Sequence, residues 1–162
     1  MIDDELRAVS IVLLVLLGVG IAGQYFFAAS LSQPFSEIGI LGQNGKLSGY
    51  PTEPLVVGTN YTLDLYVGNY EGHSMMYTVY EKLGTQFSVI NQTVPLAADP
   101  VAEYWFVLPN NDSATQPITV NLKSPGHEIR IVWELWDFAP SSNSWVYDGS
   151  WAQLFVNATA AK

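Results

Sequence analysis

The apolar and polar positions divide the chain into one long apolar segment and a series of short alternating runs. Residues 8–29 read AVSIVLLVLLGVGIAGQYFFAA and contain no charged side chain. At about 1.5 Å per residue, a helix of this length extends about 33 Å, which is enough to cross the hydrocarbon core of a bilayer. We therefore expect a transmembrane helix over 8–29, with a short cytoplasmic tail over 1–7 before it and a polar tether over 30–34 after it.

Three fates are open for this segment: a permanent anchor, a cleaved secretory signal and a pilin-type leader. The tail carries three acidic residues against one arginine, Arg7, whereas a secretory signal begins with a basic region. The stretch from Arg7 to Ser10 resembles the leader of archaeal type IV pilins, which would imply processing after Ala8. Since Arg7 is the only basic residue close to either end of the span, the positive-inside rule predicts a cytoplasmic amino terminus.

Three glycines in this segment, Gly18, Gly20 and Gly23, match the G-x-G-x-x-G pattern of dinucleotide-binding proteins. That pattern needs a following amphipathic helix and a returning parallel strand, but an aromatic cluster and Pro34 follow here. We therefore interpret the glycines as a small-residue face on which a second membrane helix packs, with tolerated flexibility as the alternative.

From Phe35 onward, short runs of strand-forming residues alternate with clusters of Gly, Pro, Asn and Ser. This rhythm is typical of an all-β domain. The clearest strand covers 61–67, and the longest covers 127–138. The pair Asp148-Gly149 predicts a two-residue hairpin turn. The other predicted strands cover 37–41, 74–82, 87–90, 101–108, 118–122, 145–147 and 151–156.

Eight or nine such strands over 35–158 indicate a single domain with a mainly β fold. We predict an immunoglobulin-like or fibronectin-like β-sandwich, preceded by one amino-terminal transmembrane α-helix. The chain contains no cysteine, so neither a disulfide framework nor a thiolate metal site is available to stabilise it. Its formal net charge of -9 repels phosphate backbones, which excludes nucleic acid as a partner.

Four Asn-x-Ser/Thr sequons favour an exported domain, because their glycosylation takes place outside the cytoplasm. We predict glycosylation at Asn60, Asn91, Asn111 and Asn157.

Candidate residues for chemistry are few. His73 lies near Met75 and Met76, whose side chains could suit Cu(I), but the two methionines point to opposite faces of a strand. Glu134 and Asp137 likewise face opposite ways, and neither is marked as a general acid. We expect no metal site, no cofactor and no enzymatic activity.

All five tryptophans lie in the later half of the chain. Trp133 and Trp136 fall on opposite faces of one strand, so one of them is a candidate for an exposed aromatic patch. We expect Trp133 and Trp105 in the core, since a sandwich usually buries at least one tryptophan. The candidate interface residues are Trp136, Trp145 and Trp151.

An ordered series of short motifs runs through the first part of this domain. These are Phe35-Ser36-Glu37-Ile38, Leu41-Gly42, Asn44-Gly45-Lys46, Gly49-Tyr50-Pro51-Thr52, Val57-Gly58, Tyr61, Val67-Gly68-Asn69, Glu71-Gly72 and Tyr77-Thr78-Val79. Over residues 35–135 the chain resembles the extracytoplasmic part of an archaeal membrane-protein family known as domain of unknown function 1616. The resemblance implies a cell-surface β domain on a membrane stem, and it brings no established activity.

We therefore predict a single-pass cell-membrane protein with a cytoplasmic amino terminus and a glycosylated extracytoplasmic domain. Its expected role is that of a non-enzymatic accessory or structural subunit. It would bind other envelope or membrane proteins through the β-sandwich and the glycine-faced helix, self-assembly included. Two alternatives stay open: a pilin-like or thread-like filament subunit processed after Ala8, and a carbohydrate-binding module.

Overall fold

The computed structural model describes residue 15, residues 17–20 and residues 33–161. The chain divides into two compact units, Met1–Pro34 and Phe35–Lys162. In the first unit, Val15 and residues 17–20 are helical, and no other described residue lies within 4 Å of a Cβ atom placed at Gly18 or Gly20. Among these described residues, no helix has the length and apolarity that crossing a bilayer requires. The tail over 1–7, Gly23 and most of the expected span over 8–29 lie outside the described residues.

The second unit contains two β-sheets. The strands are β1 Ser36–Leu41, β2 Leu55–Val56, β3 Tyr61–Asn69, β4 Met75–Thr85, β5 Pro100–Leu108, β6 Asp112–Val120, β7 Gly126–Ala139 and β8 Ser144–Thr159. One sheet has the order β1-β3-β6, and the other has the order β2-β8-β7-β4-β5. Neighbouring strands are antiparallel except for β2, which pairs in parallel with β8. This strand order is that of an immunoglobulin-like sandwich, so the predicted mainly β fold is confirmed.

The core lies between the two sheets. It follows the alternation of apolar and polar residues in β3 and β7, the two strands that the sequence predicts most clearly. Leu63 and Leu65 of β3 face inward, as do Trp133 and Leu135 of β7, and each is at most 1% exposed. Because successive side chains of a strand point to opposite faces, one apolar row from each sheet suffices to form a continuous core. The expectation that Trp133 is buried is confirmed.

The prediction of a hairpin turn at Asp148-Gly149 is wrong. Strand β8 continues through this pair, and the turn between β7 and β8 lies over 140–143 instead. The register of β7 against β8 shifts between Glu134 and Trp136. Asp148 and Gly149 therefore lie at a bulge in β8. Gly149 is needed for close packing, because a Cβ atom there would lie 2.6 Å from the backbone oxygen of Gln92.

The predicted strand over 87–90 is also wrong. These residues belong to the loop between β4 and β5, where Phe87 is 83% exposed and Val89 is 68% exposed. Their alternation of apolar and polar residues resembles that of a strand, but the loop crosses the outside of the sheet instead of pairing along its edge.

Candidate functional site

The outward face of the five-stranded sheet carries a group of aromatic side chains. Tyr77 and Val79 of β4 belong to the core, so the alternating Thr78 and Tyr80 point away from it. In the register of the sheet, Trp105 of β5 and Trp136 of β7 flank Thr78 on its two sides. The next pairs bring in Tyr147, which is opposite Trp136, and Trp145, which is opposite Phe138. We call this group the aromatic face: Tyr80, Trp105, Trp136, Phe138, Trp145 and Tyr147.

The rings of the aromatic face pack against one another. The Trp105 and Trp145 ring centroids are 5.0 Å apart at an interplanar angle of 82°, and those of Phe138 and Trp145 are 5.3 Å apart at 65°. Trp136 contacts Tyr80 at 5.6 Å and Tyr147 at 5.5 Å. Three of these four contacts are edge-to-face, an arrangement that adds to the stability that burial alone provides. The rings therefore form an ordered layer on the sheet.

This layer is open to solvent at the β5 side. Trp105 is 56% exposed and the neighbouring Val107 is 70% exposed. Beneath the rings, Thr78 is fully buried, and its hydroxyl donates a hydrogen bond of 3.0 Å to Oε1 of Glu103. The exposed apolar surface is thus bordered by one carboxylate on the same strand as Trp105.

A buried ion pair contacts the Trp136 ring of the aromatic face. Nζ of Lys82 lies 2.9 Å from Oε2 of Glu134, and the two side chains are 8% and 0% exposed. Trp136 donates from Nε1 to the same Oε2 at 3.1 Å, and the Lys82 ammonium lies 5.7 Å from the Trp136 ring centroid. Since a buried charge is tolerated only when it is paired and hydrogen-bonded, this arrangement fixes the position of the Trp136 ring.

The same ion pair attaches the loop over 86–99 to the sheet. Oε1 of Glu134 accepts a hydrogen bond of 2.5 Å from the Leu96 amide, and Nζ of Lys82 donates to the Leu96 carbonyl at 3.0 Å. Further along the loop, Nη1 of Arg130 donates to the Ser88 carbonyl at 2.6 Å. The loop therefore covers the part of the outward face around Val132 and Glu134, both of which are fully buried, and leaves the aromatic face open.

A second polar cluster consists of Asp137, Asp148, Glu71 and Ser36, the first residue of β1. Burial raises the pKa of Asp137 to about 7, with the charges of Asp148 and Glu71 as further causes. Burial is also the main cause that raises the pKa of Asp148. The Ser36 hydroxyl donates to Oε1 of Glu71 at 2.8 Å. Neighbouring carboxyls of this kind share a proton readily. Among the described residues, no three His, Cys, Asp or Glu side chains converge on a metal-binding arrangement.

Comparison with known proteins gives a family. The pattern of the family described as Domain of unknown function (DUF1616) matches residues 29–147. The chain belongs to the DUF1616 family. This match confirms the family that the sequence motifs over residues 35–135 indicate. No curated protein matches the chain.

Solved structures with similar strand arrangements include one domain determined twice. The crystal structure of the CARDB domain of a Pyrococcus furiosus protein, in complex with di-metal ions, is 12% identical, with a TM-score of 0.49 over 81% of this chain and 97% of that one. The solution NMR structure of the same domain is 14% identical, with a TM-score of 0.47 over 77% and 94%. A β-glucosidase from Listeria innocua in complex with glucose is 11% identical, with a TM-score of 0.45 over 77% of this chain and 16% of the enzyme.

Two of the three tryptophans predicted as an interface in this DUF1616 chain, Trp136 and Trp145, lie on the aromatic face. Trp151 does not contribute to the ring contacts described above. It is opposite Glu134 in the register and borders a shallow groove of about 470 Å³ with Gln92 and Glu37. The three tryptophans therefore do not form a row.

The expectation that Trp105 is a core residue is wrong. In β5, Tyr104 and Phe106 pack in or against the core, so Trp105 points to solvent with Glu103 and Val107. Both faces of this strand are largely apolar, and periodicity alone could not distinguish them. The one signal in the sequence that could have identified the outward face is the charge of Glu103.

The remaining candidate residues lie apart from the aromatic face. Nδ1 of His73 lies 3.0 Å from the Glu71 carbonyl oxygen. Met75 packs against the core, whereas Met76 is 38% exposed, so the two side chains diverge. Of the sequon residues of this family member, Asn60, Asn91 and Asn111 are exposed.

Asn157 differs from the other three sequon residues in that its side-chain nitrogen donates a hydrogen bond to another described residue. Its Oδ1 accepts a hydrogen bond of 3.0 Å from the Glu128 amide, and its Nδ2 donates to Oε2 of Glu53 at 2.8 Å. The amide nitrogen that a glycan would modify is therefore already used in this DUF1616 fold. Among the four predicted sites, Asn157 is the one that the structure favours least.

Proposed function

We propose that this chain is a non-enzymatic, membrane-anchored protein of the cell surface that binds another envelope protein through the aromatic face. The observation that supports the proposal is the ordered layer of aromatic rings, in which Trp105 is 56% exposed and the other five rings are half-buried. Aromatic side chains supply large contact areas at a low cost in conformational entropy, and they dominate the binding energy of protein interfaces. A soluble monomer rarely exposes a contiguous apolar patch without a function.

The proposed partner has an apolar centre bordered by basic residues. The chain has a formal net charge of -9, and Glu103 lies at the border of the aromatic face. Complementary charges at the rim of an interface raise the association rate and discriminate against wrong partners. Binding is therefore expected to weaken as the salt concentration rises, because the rim charges become screened.

The anchor and its orientation are part of the proposal. They are supported by the uncharged run over 8–29, by Arg7 at its start and by the exposed sequon residues Asn60, Asn91 and Asn111. Intact-mass spectrometry of the protein from native membranes tests this part. A chain that retains Met1 or begins at Ile2 and carries hexose-rich adducts is expected. A mature amino terminus at Val9 would favour the filament alternative, and a start near Leu31 would contradict anchoring.

The second candidate function is carbohydrate binding, which the exposed ring of Trp105 favours because aromatic rings stack on sugars. The row of tryptophans that this function predicts is not found, since Trp151 lies apart. Glycan binding that is lost in Trp105→Ala, with no protein partner recovered, would select this second function.

Copurification from native membranes tests the main proposal. Full-length tagged chain is compared with the double variant Phe138→Ala/Trp145→Ala and with the matched control Thr115→Ala/Thr119→Ala, which changes two exposed positions on β6. Truncation of interface tryptophans commonly costs 2 kcal/mol or more, or about 30-fold in affinity. One protein is expected to copurify with wild type and control and to be depleted by at least about tenfold with the double variant. Equal recovery from all three would contradict the proposal.

A further inference from the structure

The two sheets of the described domain have four edges, and three of them are protected. The edges are β1 and β6 in one sheet and β2 and β5 in the other. An edge strand presents unpaired backbone groups that can pair with another chain, and proteins limit this with short strands, charges and proline. Strand β2 has two residues, β6 contains Pro117, and β1 has six residues and packs beside β8.

Strand β5 differs from these three. It has nine residues, its register against β4 is regular from Ala102 to Leu108, and its only proline, Pro100, is its first residue. It contains no lysine or arginine, and Glu103 is its one charged residue. An edge that is regular over the seven residues Ala102–Leu108 and carries a single charge is a template for strand pairing.

Three of the four outward side chains of β5 are apolar, and the fourth is Glu103. Val101, Trp105 and Val107 are 57%, 56% and 70% exposed, and they alternate with residues that face the core. Two-fold pairing of a strand with its own copy is antiparallel, and its register decides which side chains face each other. If Trp105 lies on the two-fold axis, the sum of opposing residue numbers is 210, so Glu103 faces Val107 of the second copy.

We infer that the β5 edge is the contact surface for a second copy of this chain, in an antiparallel pair centred on Trp105. This register brings the two Trp105 side chains together as a cross-strand aromatic pair, which is one of the favourable pairs in sheets. It also separates the two Glu103 carboxylates, each of which faces an apolar Val107. The five-stranded sheets of the two copies then form one continuous sheet, and the aromatic rings on β7 and β8 stay accessible. The inference therefore does not depend on the partner proposed above.

An introduced charge tests the contact and its register. In Val107→Glu, each new carboxylate faces Glu103 of the second copy, and like charges directly opposite each other weaken strand pairing. Light scattering and sedimentation of the full-length chain in mild detergent are expected to show a dimer for wild type. For Val107→Glu we expect self-association that is weaker by about tenfold or more. The double variant Glu103→Lys/Val107→Glu restores opposite charges across the pair and is expected to recover the dimer.

The matched control is Thr119→Glu, which adds the same charge at an exposed position of β6 and is expected to remain dimeric. A wild-type monomer at about 100 μM would overturn the inference, since a specific contact of even micromolar affinity forms at that concentration. A dimer that persists in Val107→Glu would also overturn it, because the copies would then be held together elsewhere, for example through the glycine-bearing segment.

Cysteine cross-linking provides a second measurement that does not require the charge variants to fold. The chain contains no cysteine, so any disulfide reports on introduced residues alone. A mixture of Glu103→Cys and Val107→Cys chains is expected to give a mixed disulfide on mild oxidation, because opposing Cβ atoms of paired strands lie about 5 Å apart. A mixture of Glu103→Cys and Thr119→Cys chains is the control. Equal cross-linking in the two mixtures would contradict the proposed register.

Discussion

The Lys82 ammonium lies 2.9 Å from Oε2 of Glu134, and both side chains are buried. These two residues belong to the neighbouring strands β4 and β7, and together they bind both the amide and the carbonyl of Leu96. A single ion pair thus connects the sheet, the Trp136 ring and the loop over 86–99. Because each charge depends on the other for compensation, the pair acts as one structural unit.

We predict that Lys82→Met strongly destabilises the domain, because Glu134 keeps its charge in a buried position without compensation. Removing one partner of a buried pair costs about 3–5 kcal/mol. Urea unfolding measures the loss. The double variant Lys82→Met/Glu134→Gln, which removes both charges and keeps an acceptor for the Leu96 amide, is expected to recover at least half of it. Lys123→Met is the surface control, and a loss as large as that of Lys82→Met in this control would contradict the account.

The close approach of Gly149 to Gln92 predicts a second effect. A Cβ atom at Gly149 would lie 2.6 Å from the Gln92 carbonyl oxygen, and its φ of 92° is itself unfavourable for alanine. Gly149→Ala is expected to lower the free energy of unfolding by about 2–3 kcal/mol. Gly45→Ala is the matched control, since Gly45 has a φ of 66° but no described residue beyond its chain neighbours within 4 Å of an added Cβ atom, and about 1 kcal/mol is expected there. Equal losses would mean that backbone conformation alone accounts for the glycine at 149.

The raised pKa of Asp137, about 7, predicts a dependence of stability on pH. The folded state holds this proton more tightly than the unfolded state, in which the pKa is about 3.9. The contribution of Asp137 is therefore fully present below pH 4, declines as the pH rises and is lost above pH 7. Asp137→Asn cannot ionise, so it is expected to be more stable than wild type at pH 8 and to show a smaller decline between pH 4 and pH 7. Thermal unfolding across this range measures both, and a Tm difference independent of pH would contradict the prediction.

The hydroxyl of Tyr147 is buried without a hydrogen-bond partner among the described residues, and burial raises its pKa to about 12. An unpaired buried polar group costs about 1–3 kcal/mol. Tyr147→Phe removes the hydroxyl and keeps the ring that contacts Trp136, so it is expected to stabilise the domain by about 1 kcal/mol in urea unfolding. Tyr61→Phe is the opposite control, because the Tyr61 hydroxyl accepts a hydrogen bond of 2.7 Å from the Val56 amide and its removal is expected to destabilise.

The candidate site was only partly predictable. The alternation of β7 predicts Trp136 as an outward residue, because Trp133 on the same strand belongs to a clear inward row. The expectation for Trp105 is wrong, and the local pattern does not correct it, because Tyr104 and Phe106 beside it are also aromatic and hydropathy does not distinguish the two faces of such a strand. The ion pair of Lys82 and Glu134 gave no local signal, since the two residues are far apart along the chain and their contact depends on the pairing of β4 with β7.

The sequence by itself determined that the domain after Phe35 is a β-sandwich and which rows of β3 and β7 form its core. It could do so because the alternation of side chains along a strand is a local property of the backbone. Only the tertiary structure decided that Gly149 packs against Gln92, that the loop over 86–99 covers the outward face around Val132 and Glu134, and that Trp105 is exposed to solvent. These features depend on strand register, a bulge and contacts between segments remote in sequence, none of which a local pattern records.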